Sequence, residues 1–344
     1  MKVLFIGGTG TLSTACVHRC LDLGMELFVL VRGTRDQRIP PKARVIHGDI
    51  RGAPTHVRSL LAGHTWDCVV DWVAFEEEDV LRDVEFFEGR TKKFIFISSA
   101  AVYRKPLPTP PVTESTPTGN KFWDYADKKA RCEQLFHDFY QSRGFPVVIV
   151  RPGAGYAEFT LPTGIAGMGF GIADRILSGR PILVHGDGTG LWTFTFNEDF
   201  ARGFVPLISL DSVVGETFHI TSDEILSWIQ IYDLIGSVFG GEGKYVFASS
   251  HLINKFDAEL GATLLGDKSH SYIFDNSKIK RYVPDFSPRV SLRDGLCHSH
   301  DWYRHHKSEK RLDSGKDRLL DTIIAYVGSL RPVDSPRYFQ RTSV

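Results

Sequence analysis

The sequence predicts an α/β chain, a doubly wound parallel (Rossmann) sheet with a smaller C-terminal substrate lobe. Three observations predict it. Lys2-Val3-Leu4-Phe5-Ile6 is a short apolar run, followed at once by Gly7-Gly8-Thr9-Gly10-Thr11-Leu12-Ser13 and an amphipathic stretch to Gly24. Strand, tight glycine turn and helix are the context that a dinucleotide fingerprint requires. Apolar strand-like runs then alternate with helical stretches as far as Gly153, the pattern of βαβ units with right-handed crossovers. Beyond Gly153 the texture changes: Pro and Gly become frequent and apolar runs become short.

Each element has its own reason. The glycines let the first turn bend sharply and come close to a pyrophosphate, and the following helix start offers free N–H groups to phosphates. Gly7, Thr9, Gly10, Thr11 and Leu12 are therefore expected to bind cofactor. Glu26 to Val31 reads as the second strand and ends in Arg32-Gly33-Thr34-Arg35. An acid at this strand end would bind a ribose 2′-hydroxyl, whereas arginine suits a 2′-phosphate. Arg32 and Arg35 thus favour NADP, with NAD as the alternative. Ala43 to His47 is expected as strand three, Asp67 to Ala74 as strand four and its exit, Phe94 to Ile97 as strand five, and Val147 to Val150 as strand six. The proline-rich stretch from Lys105 to Gly119 reads as a loop. Asn197 is expected to cap a helix reaching Leu210, Glu216 to Thr221 to form a last strand, and Arg318 to Ser329 a helix. These elements imply a dinucleotide-binding unit of residues 1–153 plus 197–222. A substrate lobe would be built from 154–196 plus 223–330, with 331–344 an extended or disordered tail.

Composition narrows the function. Among 344 residues, Lys+Arg and Asp+Glu number 41 each, so bulk electrostatics make no case for nucleic acid or a membrane surface. The five cysteines are odd in number and scattered, which reads as reduced thiols in a cytoplasmic protein. The first apolar run is too short for a signal peptide, and no run approaches the ~18 residues of a membrane span. The expected partner is a small molecule, with a homodimer left open. Cys297, His298, His300, His305 and His306 fit no zinc spacing, and a solvated surface is expected there.

Tyr125 and Lys129 lie four residues apart on a predicted helix and so share a face. A lysine cation near a phenol favours the phenolate, which would let Tyr125 move a proton. Ser99, at the end of strand five, is placed to hydrogen-bond the same reacting oxygen. Glu76 to Asp79 reads as the charged start of a helix, and Trp123 as core or a substrate-stacking ring.

These pieces carry a resemblance. Gly7-Gly8-Thr9-Gly10, Gly48-Asp49-Ile50, Ile97-Ser98-Ser99-Ala100-Ala101-Val102-Tyr103, Tyr125 with Lys129, Arg151-Pro152-Gly153 and Thr195-Phe196-Asn197-Glu198-Asp199-Phe200-Ala201 stand in a characteristic order. As a set they resemble the extended, atypical short-chain dehydrogenase/reductase superfamily, in its NAD(P)-dependent sugar epimerase/dehydratase branch. The resemblance implies that Asp49 and Ile50 flank adenine and that Ala74 and Pro152 line the cofactor groove. It implies a catalytic trio of Ser99, Tyr125 and Lys129, with Tyr125 and Lys129 also touching cofactor. Ser99, Ala100, Trp123, Tyr156 and Trp192 would face a sugar or nucleotide-sugar-like substrate.

There are departures. Ser13 replaces a third glycine, the usual asparagine after strand six is missing, and Trp192 stands where many sugar-nucleotide members carry a diphosphate-clamping arginine. These leave open a NADPH-dependent reductase of a non-sugar carbonyl. A non-catalytic RNA-binding relative is a second alternative: the glycine turn and Phe274-Asp275-Asn276-Ser277-Lys278 resemble the chloroplast stem-loop binding proteins. The Ser99, Tyr125 and Lys129 set and the zero net charge favour an enzyme. A cofactor-occupied redox sensor has only the fold behind it.

Overall fold

The computed structural model describes residues 1–306 and 313–330. The tail expected at 331–344 lies outside the described residues. The chain runs β1 (Lys2–Ile6), α1 (Ser13–Asp22), β2 (Glu26–Val31), β3 (Arg44–His47), α2 (Pro54–Leu60), β4 (Cys68–Asp71), α3 (Glu77–Phe87), β5 (Phe94–Ile97), α4 (Asp124–Arg143) and β6 (Val147–Pro152). There follow β7 (Ala154–Tyr156), α5 (Gly171–Leu177), β8 (Ile182–His185), β9 (Leu191–Trp192), β10 (Phe194–Phe196), α6 (Asn197–Ser209) and β11 (Thr217–Ile220). The main sheet has seven parallel strands in the order β11-β6-β5-β4-β1-β2-β3. This is the doubly wound architecture that the alternating runs predict. The order reverses at β1, between β4 and β2, where such sheets open a crevice at the carboxyl ends of their strands.

The strand residues explain why helices cover both faces. Val3 and Phe5 point to one side and pack with α1 and α6. Leu4 and Ile6 point to the other and pack with residues of α2, α3 and α4. A strand buried on both faces must be apolar throughout, which is why β1 shows no alternation.

The rest of the chain comprises β12 (Leu226–Ser227), α7 (Trp228–Phe239), β13 (Tyr245–Ala248), α8 (Ser250–Phe256), α9 (Ala258–Thr263), α10 (Ser277–Tyr282), α11 (Leu292–His305) and α12 (Ser314–Ser329). Three two-stranded pairs, β10-β7, β12-β9 and β13-β8, stand apart from the main sheet. Much of this region shares an aromatic-rich core that includes Trp192, Trp228, Tyr232 and Tyr272. Residues 277–286 differ: Ile279, Val283 and Phe286 pack under the main sheet beside α6.

One expected cap is not found. Phe196, not Asn197, is the N-cap of α6, no side chain caps it, and the Asn197 side-chain oxygen has no partner among the described residues. Asn197 is already inside the first turn, so its short side chain cannot reach back to the helix start. The acidic run does cap its helix: Glu76 and Asp79 form a capping box at α3. Among the described residues, no helix is long and apolar enough to cross a membrane.

Candidate active site

The glycine turn is built for close approach. Gly7 has φ +84°, and a Cβ there would meet Val73 at 3.0 Å, so only glycine fits without strain. The helix that follows has no side-chain cap and no acidic residue in its first turn. Its amide end is therefore left for an anionic ligand. Ser13, in place of a third glycine, accepts a 2.9 Å hydrogen bond from the Gly10 amide. A cleft of about 290 Å³ opens here at the ends of β1, β2 and β3, lined by Gly7, Thr9, Arg32, Arg35, Asp49 and Ile50 among others. Ala74 does not line it. Its side chain is fully buried, and its neighbours Val73 and Phe75 form that wall.

The β4 exit is pinned from below. Asp71 accepts from the amides of Val73 and Ala74 at 2.5 and 2.9 Å. Asp79 accepts from the Phe75 amide at 2.7 Å and pairs with Arg51 and Arg82. Burial pushes the Asp79 carboxyl up, but the Arg51 hydrogen bond, the Phe75 amide and the two guanidiniums outweigh it and hold it below the usual range. Arg51 also donates to the Val73 carbonyl at 2.6 Å and lines the cleft. Sequence reasoning passed over Arg51; its only signal was its place directly after Gly48-Asp49-Ile50.

A second cavity of about 290 Å³ lies at the ends of β5 and β6. Ser99, Ala100, Trp123, Tyr125, Pro152 and Trp192 all line it, so the sequence-predicted substrate residues other than Tyr156 meet there. Tyr156 is buried and belongs to a larger neighbouring cavity of about 600 Å³. Thr11 lines that larger cavity, Gly10 forms the turn beside it, and Leu12 packs so closely on Gly155 that a Cβ there would come within 2.4 Å.

Helix α4 carries Tyr125 because Asp124 and Asp127 suit its positive end and Gly144, at φ +68°, ends it. It is tied to β6 by a buried ion pair, Arg151 to Glu133 at 2.6 Å. Burial pushes the Tyr125 phenol up, a hydrogen bond with Ser99 opposes the rise, and the Asp267 carboxylate adds to it. The downward shift expected from Lys129 is not found. Lys129 is buried and donates to the Ala74 and Ile97 carbonyls at 2.6 and 2.7 Å, against the rings of Phe75 and Phe96. Its own burial brings its ammonium down to about 8, against the opposing pull of Asp71.

Asp267 and Lys268 also reach the second cavity, from a π-helical turn over Leu264–Lys268. Burial raises the Asp267 carboxyl, opposed by Lys268, Lys105 and His270. No motif announced these residues. The indole nitrogen of Trp192 and the hydroxyl of Thr193 are buried on this wall without a protein partner among the described residues. The histidines at 298 and 306 stack on Phe196 and Trp302, His300 meets Phe239 edge-on, and no metal-binding group occurs among the described residues.

Residues 85–221, which span Tyr125, Lys129 and Ser99, match the model of the NAD dependent epimerase/dehydratase family. The likeness to that family covers less than half of the chain. A UDP-glucose epimerase of Bacillus subtilis, itself uncharacterised, is 28% identical over 61% of this chain, a match that spans 60% of that relative's length. A dTDP-glucose 4,6-dehydratase of Streptomyces niveus is 22% identical over 90% of this chain and 94% of its own. Among solved structures, the UDP-glucose 4-epimerase of Bifidobacterium longum, in complex with NAD+ and UDP, superposes with a TM-score of 0.72. It is 18% identical, and the match covers 90% of this chain and 100% of that one. The structure of an epimerase of Methanothermobacter thermautotrophicus gives a TM-score of 0.73 at 18% identity, covering 90% and 93%. These likenesses show a fold shared with those Rossmann-type proteins.

Proposed function

We propose that this chain is an enzyme of the epimerase/dehydratase type that uses a nicotinamide dinucleotide and acts on a sugar or nucleotide-sugar-like small molecule. One observation carries the reading: a cleft lined by the glycine turn and a cavity lined by Ser99 and Tyr125 both open at the carboxyl ends of one parallel sheet.

The site fits the cofactor. The uncapped start of α1 and the glycine turn would take the pyrophosphate, and Asp49 and Ile50 would border adenine. Arg32 and Arg35 line the adenosine end and support NADP over NAD, although the relatives' structures hold NAD. Pro152, on the wall of the second cavity, would stand at the nicotinamide side. When bound, the nicotinamide supplies hydride transfer. Burial raises the Tyr125 phenol further above its ordinary value, so it is a neutral donor that can hydrogen-bond a substrate oxygen and exchange its proton there. Ser99 holds the same oxygen. An ammonium has three donors; Lys129 uses two on carbonyls and keeps one for a ligand hydroxyl.

The reductase of a non-sugar carbonyl remains a second reading, because Trp123, Trp192, Tyr272 and Phe274 make the second cavity strongly aromatic. The test is to release any retained cofactor for mass spectrometry and then screen nucleotide sugars for turnover. Tyr125→Phe should keep the cofactor and lose turnover by ~10²–10⁴. Full turnover in that variant would overturn the Tyr125 assignment.

A further inference from the structure

The π-helical turn over Leu264–Lys268 is held on both sides of Asp267. The side-chain amide of Asn120, fully buried, donates to the Gly266 carbonyl at 2.5 Å and to the Ala101 carbonyl at 2.8 Å. His185 and Trp228 donate ring N–H groups to the Lys268 carbonyl at 2.9 and 3.2 Å. A Cβ on Gly266 would come within 2.7 Å of Trp123, so the turn presses directly on that residue. Asn120 thereby ties the turn to the stretch that carries Ser99. Asp267 is positioned by its neighbours' backbone contacts, and its own side chain is left for the cavity.

That side chain is unsatisfied. It is 13% exposed, and its carboxyl makes no hydrogen bond among the described residues. Positive charge is at hand: the Lys268 ammonium lies 3.9 Å away, and Lys105 opposes the rise that burial causes. Charge is thus partly met, whereas hydrogen bonds are not. A buried carboxylate without donors is costly, and its oxygens can only accept. The missing partner is therefore a neutral donor. The rest of the lining agrees. Trp123, Trp192, Tyr272 and Phe274 offer ring faces that suit the C–H groups of a saturated ring. The Trp192 indole nitrogen and the Thr193 hydroxyl on the same lining also lack partners among the described residues.

We propose that Asp267 selects the substrate: its carboxylate takes hydroxyls of a polyhydroxylated ring seated among these aromatic side chains, while Ser99 and Tyr125 hold the reacting oxygen. The inference rests on the sugar reading above and sharpens it. A site built to bond a substrate hydroxyl rejects an analogue that lacks it, because the buried acceptor is then left unpaired. A carbonyl compound without hydroxyls fails this requirement, which sets the sugar reading apart from the reductase reading.

Calorimetric titration of UDP-glucose and of UDP into wild type, Asp267→Asn and Asp267→Leu tests it, with dTDP-glucose and dTDP as a second ligand pair. The two members of each pair share their nucleoside diphosphate, so the ratio of their affinities reads the ring alone. Wild type should bind the sugar nucleotide ~10–100-fold more tightly than the bare diphosphate, the range of hydrogen bonds to a charged group. Asp267→Leu should erase that margin. Asp267→Asn, which keeps one acceptor oxygen, should retain part of it. Neither substitution removes a hydrogen bond within the described chain, so both variants should melt near the wild-type temperature. A wild-type margin in both variants would overturn the role of Asp267 and leave the sugar reading intact. A wild type with no margin for either sugar nucleotide would overturn both.

Discussion

At the scale of single residues, the proposed chemistry depends on two groups whose environments differ from what their spacing suggests. Tyr125 and Lys129 do share a helix face, yet the lysine is turned beneath the cavity onto the Ala74 and Ile97 carbonyls. A phenol raised by burial and an ammonium lowered to about 8 are both closer to neutral than in water. Such a pair is suited to exchanging a proton with a substrate oxygen without leaving a bare charge in an apolar cavity. The roles should separate in variants. Lys129→Met should weaken dinucleotide binding by about 10-fold, the worth of one or two lost hydrogen bonds, and should lower turnover as well. Ser99→Ala should lower turnover with cofactor affinity unchanged. Equal cofactor affinity in Lys129→Met and wild type, measured by fluorescence titration, would remove Lys129 from the cofactor site.

At the scale of elements, the β4 exit shows how buried charge shapes the cleft. Arg82 bridges Asp79 at 2.5 Å and Asp83 at 2.8 Å, with Asp71 at 3.5 Å. Burial raises the Asp83 carboxyl well above its usual value, as does Asp71 beside it, and Asp83 hydrogen-bonds Asp71. The folded chain therefore holds a proton on Asp83 that the unfolded chain has released above ~4. Where the folded state binds more protons, stability falls as pH rises. The Asp83 contribution is thus full below the ordinary carboxyl value and declines as pH climbs through the raised one. Asp83→Asn keeps the shape without the titration, so its stability curve should flatten over that window. Parallel urea-denaturation profiles for variant and wild type across pH would refute the shared proton. Arg82→Ala, which leaves the buried carboxyls without their cation, should cost about 3–5 kcal/mol.

This element was only half legible beforehand. The apolar run Cys68 to Val70 marked the strand, because a strand buried on both faces has no choice of residue. Asp71 read as part of the strand and its exit, Asp79 as charge at a helix start, and nothing marked Asp83, since their convergence on Arg82 depends on how α3 docks under β4. The same limit applies to Arg51 and Asp267. Each is a lone charged residue in a loop or turn, brought to the site by contacts that no periodicity records. Ser99, Tyr125 and Arg32 were readable because each stands at a fixed offset from a strand end or on a helix face.

For the whole molecule, the zero net charge conceals a local field. Arg32, Arg35 and Arg51 gather at one cleft, whose acidic lining residue is Asp49. The second cavity instead holds one carboxyl, Asp267, beside Lys268. Low-dielectric walls focus such a field on an anionic ligand even when the surface as a whole is balanced. A dinucleotide that binds only the folded chain should stabilise it by about 2.7 kcal/mol at a hundred times its Kd. NADP should then raise the melting temperature more than NAD at equal concentration, by virtue of its extra phosphate. Salt should narrow the difference, because the field of exposed charges decays over about 10 Å at 0.1 M and faster as salt rises, and the two arginine side chains are exposed. Arg32→Asp should invert the order, since a carboxylate accepts from a ribose 2′-hydroxyl and repels a 2′-phosphate. Thermal melts of wild type and Arg32→Asp with each dinucleotide, at two salt concentrations, give a direct reading. If NAD stabilises the wild type as strongly as NADP, and the substitution changes neither, the arginines at the end of β2 are solvated residues and the chain uses NAD.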